Sequence, residues 1–243
     1  LGGYNREDYR AYRDWAPAAD GTLIPISVIH RADLDMSKPH PVIQYGYGSY
    51  ESSMDPMFSI PMLSILDRGV IYVIAHIRGG GEMGRSWYQN GKKLAKKNTF
   101  TDFVDVTSYI AAKPWADEAR IGCYGGSAGG LLMGAVVNLA PEKYAACLAA
   151  VPFVDALTTI LDPELPLSAM EWEEWGNPIE DPEVYAYMKS YTPYENIRPV
   201  RYPAIAAVTS LHDTRVLYVE PAKWIAALRE QIDPSSPVPL LKI

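Results

Sequence analysis

The densest chemical signal is the run Gly125-Gly126-Ser127-Ala128-Gly129, which follows the strand-like Ile121-Gly122-Cys123-Tyr124 and precedes a helix-compatible stretch from Leu131 to Leu139. A serine carried on a sharp strand-to-helix turn has a strained backbone that crowds its neighbours. Glycines two residues before and two after it let the chain pass close by. Such a turn aims the hydroxyl at a helix N-terminus, where free backbone N–H groups, the Ala128 amide among them, can hold a developing oxyanion. A phosphate-cradling loop would need Gly-Lys-Ser/Thr, and no lysine follows this cluster. Ser127 therefore reads as the nucleophile of an acyl-transfer reaction.

A serine nucleophile needs a base and an acid to orient the base. Leu211-His212-Asp213-Thr214-Arg215-Val216 follows the apolar run Pro203 to Ser210, where the acid of a Ser, Asp, His order should stand, so Asp213 is the candidate. It lies too far upstream to cap a helix beginning near Pro221. No histidine follows Asp213. His212 adjoins Asp213, and successive side chains of an extended segment diverge, so it is poorly placed as the bridge. His30 and His76 lack any surrounding motif and read as structural. The four histidines, at 30, 40, 76 and 212, have no zinc-ligand spacing and there is no CxxC, so neither a metal nor another cofactor is expected.

The elements that must position these groups alternate along the chain. Tyr9 to Trp15 and Leu23 to His30 flank Asp20-Gly21 and predict a tight hairpin. Short apolar runs follow at Pro41 to Tyr45, Val70 to Ile77, Arg120 to Tyr124, Ala145 to Val151, Pro203 to Ser210 and Val238 to Ile243, as expected of strands buried on both faces of a parallel sheet. Helices are predicted over Phe100 to Lys113, entered through Asn98 and Thr99, and over Pro221 to Gln231, with proline in the first turn. The Pro-, Glu- and Tyr-rich stretch Leu161 to Arg201 interrupts the rhythm. In such folds an insertion of this kind commonly sits over the strand carboxyl ends, where ligands bind. The expected fold class is α/β, an α/β-hydrolase fold with a mostly parallel central sheet flanked by helices, forming one domain over residues 1–243.

A net charge of -7 argues against a nucleic-acid partner, whose phosphates need a basic surface. Lys92, Lys93, Lys96 and Lys97 read as a solvated helix face. Cys123 and Cys147 sit in strand-like runs and read as small buried hydrophobes. No run is long and apolar enough for a membrane span, and no export signal opens the chain, so a cytoplasmic protein is expected. The start at Leu1 without methionine and the end at Ile243 inside an apolar run suggest a piece of a longer polypeptide, truncated before a histidine-bearing loop.

Several strings together resemble the prolyl oligopeptidase family, and within it the oligopeptidase B branch: GGSAGG (125–130), YGYGSY (45–50), LDRG (66–69), HIRGGGEMG (76–84), WEEWGNP (172–178), MKSYTPY (188–194) and the stretch His212 to Val216. The resemblance runs from about Tyr9 to the end. It implies a serine peptidase with Ser127 as nucleophile, Asp213 as triad acid, and Tyr47 with the Ala128 amide as oxyanion hole. It implies cleavage of short peptides after Lys or Arg, with Glu171 and Glu173 receiving the basic side chain, Asp55 as a further subsite carboxylate and Arg215 holding a substrate carbonyl. Without the resemblance, Glu171, Glu173 and Glu174 read as a solvated acidic patch and Tyr47 as packing. Met57 stands where the branch has a second carboxylate beyond Asp55, which weakens any preference for paired basic residues. The family's N-terminal β-propeller, a partner that covers the active site, and the triad histidine are both expected outside these residues. An esterase or exopeptidase of the same fold, and a non-catalytic hydrolase-like module, are the alternatives.

Overall fold

A computed structural model describes residues 3–165 and 168–243. Pro166 and Leu167, in the expected insertion, and Leu1, at the expected truncated start, lie outside the described residues. The strands are β1 (Tyr9–Pro17), β2 (Leu23–Arg31), β3 (His40–Tyr45), β4 (Ile71–Ala75), β5 (Ala116–Gly126), β6 (Ala146–Ala150), β7 (Ala204–Val208) and β8 (Leu240–Lys242). The helices are α1 (Ile60–Leu66), α2 (Arg85–Gln89), α3 (Lys97–Ala111), α4 (Ala128–Leu139), α5 (Ala156–Ile160), α6 (Ser168–Trp175), α7 (Pro182–Lys189) and α8 (Val219–Gln231).

All eight strands form one sheet in the order β1-β2-β4-β3-β5-β6-β7-β8. The β1–β2 and β2–β4 pairs are antiparallel and the remaining pairs parallel. The expected α/β-hydrolase architecture, a mostly parallel sheet flanked by helices, is therefore present. Its functional consequence is direct: β3, β5, β6 and β7 run the same way, so the loops after Tyr45, Gly126, Ala150 and Val208 emerge along one edge.

Side-chain alternation builds a core on each sheet face. On β2, Ile26 and Val28 join the large cluster with Phe103, Val106 and Leu132, while Ile29 joins Leu66 of α1 and Tyr72 and Ile74 of β4 in a smaller one. Cys123 and Cys147 are register partners on adjacent strands and are buried free thiols, as their apolar surroundings predicted. Arg78, just beyond β4, donates through its backbone N–H (3.0 Å) and Nε (2.8 Å) to buried Asp102 of α3, and through a second guanidinium nitrogen to Asp20 (2.7 Å) in the β1–β2 turn. One fork thereby ties the hairpin, the sheet and α3 together.

The expected hairpin around Asp20-Gly21 is formed by β1 and β2; its turn spans Ala18 to Thr22, closed by an Ala18 N–H to Thr22 carbonyl bond of 2.8 Å, with Gly21 at φ 84°. Two expectations on the elements need correction. Helix α3 begins at Lys97 and not at Phe100, because the 3-10 turn Lys93–Ala95 leads into it through a helical Lys96, placing Asn98 and Thr99 inside the first turn. The final strand is a short edge strand whose Leu240 is exposed, as are Val238 and Ile243, so the apolar run at 238–243 is not buried.

Candidate active site

Ser127 links β5 to α4 with φ 57° and ψ -119°, a left-handed backbone that a non-glycine residue adopts only under constraint. The steric reason for its glycines is explicit: a Cβ on Gly125 would stand 2.4 Å from the Gly129 carbonyl oxygen, and one on Gly129 2.9 Å from that of Gly46. The turn is pinned by the Ser127 N–H to the Ala150 carbonyl (2.9 Å) and by the Gly130 N–H to the Ser127 carbonyl (2.8 Å). Ala128, first residue of α4, has an N–H with no intrahelical acceptor, and none is found for it among the described residues.

Ser127 and Ala128 line a cavity of about 290 Å³ together with Tyr47, Tyr50, Phe153, Thr159, Glu171 and the segment Thr214 to Leu217. Tyr47 comes from the loop after β3, Phe153 from the loop after β6, and Thr214 to Leu217 from the loop after β7. Burial raises the Tyr47 phenol above its ordinary pKa, against a smaller lowering by the neighbouring Ser127 hydroxyl. A protonated phenol against the nucleophile is a neutral donor suited to a developing oxyanion.

The described part of the insertion supplies the carboxylate. Glu171 of α6 lines the cavity, and its Oε2 accepts from the Tyr50 hydroxyl (2.6 Å) and the Trp175 indole N–H (2.8 Å). Glu173 is not brought to the cavity. Residues two apart on a helix face opposite ways, and Glu173 turns outward to Lys92 (2.8 Å) and Lys93 (3.1 Å), which hold its carboxyl down at about 2. The residue three positions on from Glu171 shares its face. Glu174 is buried and accepts from the Tyr50 backbone N–H (3.0 Å) and the Tyr88 hydroxyl (2.7 Å). Reading 168–175 as a helix puts Glu174, and not Glu173, on the face that carries Glu171.

The lysine run also departs from expectation. Lys92 is 6% and Lys96 1% exposed. Lys96 Nζ donates to the Gly48 carbonyl (2.6 Å) and the Ser49 hydroxyl (2.7 Å), beneath the loop that carries Tyr47. No local sequence pattern announces this, because only the fold brings that loop over the ammonium.

Asp213 adjoins the cavity segment, half-buried, and its Oδ1 accepts from the N–H groups of Arg215 (2.9 Å) and Val216 (3.0 Å). The carboxylate thus shapes its own turn, with Oδ2 unengaged among the described residues. Arg215 is exposed and lines the cavity. Asp55 is exposed in the irregular segment between Tyr50 and α1 and does not line the cavity. No histidine lines it either. His76 is fully buried, with Nε2 2.9 Å from Ser27 Oγ, and His30 Nδ1 is 2.7 Å from the Arg31 carbonyl, while His212 is exposed.

Residues 56–238 match the family model described as prolyl oligopeptidase family. Among curated proteins the chain is similar to dipeptidyl aminopeptidase BI of Pseudoxanthomonas mexicana, 52% identical over 97% of this chain and 33% of that protein. It is also similar to Protease 2 of Moraxella lacunata, 44% identical over 94% of this chain and 33% of the relative. Among solved structures it is similar to oligopeptidase B from Leishmania major, with TM-score 0.95 and 49% identity, covering 100% of this chain and 34% of that one. Oligopeptidase B from Trypanosoma brucei with covalently bound antipain gives TM-score 0.95 and 46% identity over 100% of this chain and 34% of that one. The chain spans about a third of the length of the curated relatives it matches.

Proposed function

The chain belongs to the prolyl oligopeptidase family, and from that premise we propose that it is the catalytic domain of a serine oligopeptidase that cleaves short peptides after Lys or Arg. In this reading Ser127 Oγ attacks the scissile carbonyl carbon, and its proton passes to a histidine contributed from outside these 243 residues and oriented by Asp213. The Tyr47 hydroxyl and the Ala128 N–H donate to the tetrahedral oxyanion. Collapse breaks the C–N bond, the amine leaves with the proton from the base, and water then hydrolyses the acyl-Ser127 ester. The family's β-propeller would come from the rest of the polypeptide and restrict access to short peptides.

One observation carries the specificity. Glu171 stands in the same cavity as Ser127, with Oε2 engaged by Tyr50 and Trp175 and Oε1 left for a guest cation. A carboxylate held by two donors inside a cavity favours a cationic side chain through desolvated charge complementarity. Arg215 serves as a carbonyl donor at the rim. Asp55, away from the cavity, is proposed only as a more distant subsite, and Glu173 as a scaffold for Lys92 and Lys93.

The test compares hydrolysis of a blocked dipeptide p-nitroanilide bearing Arg at the cleaved position with its neutral citrulline isostere, using the native polypeptide that carries these residues. Arginine should be strongly preferred, and Glu171→Gln should remove most of that preference while fluorophosphonate labelling of Ser127 persists. Equal turnover of both substrates would refute the reading. A second reading, release of dipeptides from a free amino terminus, is favoured by the 52% identity to a protein named dipeptidyl aminopeptidase BI. It requires that the blocked substrate fail where the unblocked one is cleaved.

A further inference from the structure

Tyr47 and Tyr50 belong to one loop, and its backbone is unusual. Gly48 (φ 73°), Tyr50 (φ 59°) and Glu51 (φ 57°) are all left-handed, two of them without the freedom of glycine. Such a conformation persists only where the surroundings over-determine it. Two buried charged groups do so. The Lys96 ammonium donates to the Gly48 carbonyl and the Ser49 hydroxyl, and the Glu174 carboxylate accepts the Tyr50 N–H. The two charges stand 4.0 Å apart, and the indole of Trp175 lies 5.0 Å from the ammonium. On one side of the gripped residues is the phenol that meets Ser127. On the other is the Tyr50 hydroxyl that orients Glu171 at 2.6 Å.

We propose that Lys96 is a positioning residue which, by clamping the Gly48–Ser49 turn, sets the oxyanion donor Tyr47 and the specificity carboxylate Glu171 in mutual register. The inference rests on the function proposed above. Lys96 touches no reacting atom. A charge is needed because each partner must be held against a strained backbone in a site closed to water, where an ammonium–carbonyl bond is stronger than a neutral one. Turnover and side-chain selection are thereby coupled through one residue.

A consequence concerns alkaline pH. Burial pushes the Lys96 ammonium down to about 8, against the upward pull of Glu174. The ionisable groups facing it are Glu174 and, beyond that carboxylate, the Tyr88 phenol bonded to it and the nearby Tyr50 and Tyr191 phenols, all raised by burial and so protonated in this range. Lys92, beside Tyr88, is raised and stays charged. Loss of the Lys96 proton therefore weakens the clamp as pH rises through about 8.

The experiment uses the native polypeptide with Lys96→Met and Lys96→Gln, measuring kcat per fluorophosphonate-labelled site on the arginyl and citrullinyl substrates. Lys96→Met should lower kcat per labelled site on both by roughly a hundredfold, the scale of one lost oxyanion donor. It should also cut the arginine-over-citrulline ratio by roughly tenfold, with Lys96→Gln intermediate. If only the labelled fraction falls, with kcat per site and the ratio within twofold of the unmodified protein, Lys96 is merely structural and the proposal is overturned. The unmodified protein gives a second arm that needs no variant to fold: its ratio should fall as pH rises through about 8, and a ratio constant from pH 7 to 9.5 contradicts the clamp. Should the unmodified protein show no preference for arginine at pH 7, the specificity reading fails. The clamp is then judged on kcat per labelled site alone, which Lys96→Gln must still lower.

Discussion

Glu220 offers a sharp test of how the cavity wall is held. It is 2% exposed at the start of α8, its Oε2 accepting the Asp155 N–H (2.9 Å) and its Oε1 the Thr159 hydroxyl (2.6 Å). Thr159 and Ile160 of α5 line the cavity, so this carboxyl anchors part of the substrate wall. Burial raises its pKa from 4.5 to about 7, outweighing the hydrogen bonds that favour the charged form, and the nearby Asp155 carboxylate adds to the rise. Between those values the native state keeps a proton that the unfolded chain releases, so stability falls as pH rises from 4.5 to 7 and levels off above. At about 1.4 kcal/mol per pKa unit the loss is about 3.5 kcal/mol, roughly three-hundredfold in an opening equilibrium. Glu220→Gln keeps the geometry, accepting from the Asp155 N–H through its carbonyl and donating to Thr159 through its amide, but cannot ionise. Amide hydrogen exchange of α5 and α8, comparing variant and unmodified protein at each pH so that intrinsic rates cancel, reads the difference. Protection should differ by only about fourfold at pH 5 and be roughly three-hundredfold greater in the variant at pH 8. A ratio independent of pH would refute the assignment of a buried, late-ionising carboxyl.

Other expectations bear on the nucleophile. Tyr47→Phe removes a donor without changing shape, and kcat should fall by roughly 10²–10³ with KM little altered, read by steady-state kinetics on the arginyl substrate. Gly125→Ala places a Cβ 2.4 Å from the Gly129 carbonyl oxygen and should abolish fluorophosphonate labelling of Ser127, whereas Gly126→Ala meets Ala150 alone, its oxygen at 3.4 Å and its Cβ at 3.6 Å, and should label at close to the normal rate.

What was legible in the sequence had causes confined to a few neighbouring residues. The glycines around Ser127 are forced by contacts within the turn, so the elbow could be read at once. The parallel strands could be read because burial on both faces leaves an uninterrupted apolar run. Helix α1 was missed although Ser59 accepts from the Met62 N–H and Pro61 stands in the first turn, a capping pattern hidden by the irregular segment before it. That Glu174 and not Glu173 shares the face of Glu171 needed only helical phase. Lys96 is different in kind. Its surroundings come from the loop after β3 and from α6, so nothing within ten residues of it distinguishes it from its solvated neighbour Lys97. The same is true of Glu220, whose partners lie some sixty-five positions earlier. Groups whose ionisation is altered by burial are those the fold must assemble from distant segments, and such groups are where a cavity's tuning resides. The nucleophile of such an enzyme can therefore be read from a string of five residues, while the residues that hold its oxyanion donor and its specificity carboxylate in register emerge only from the folded chain.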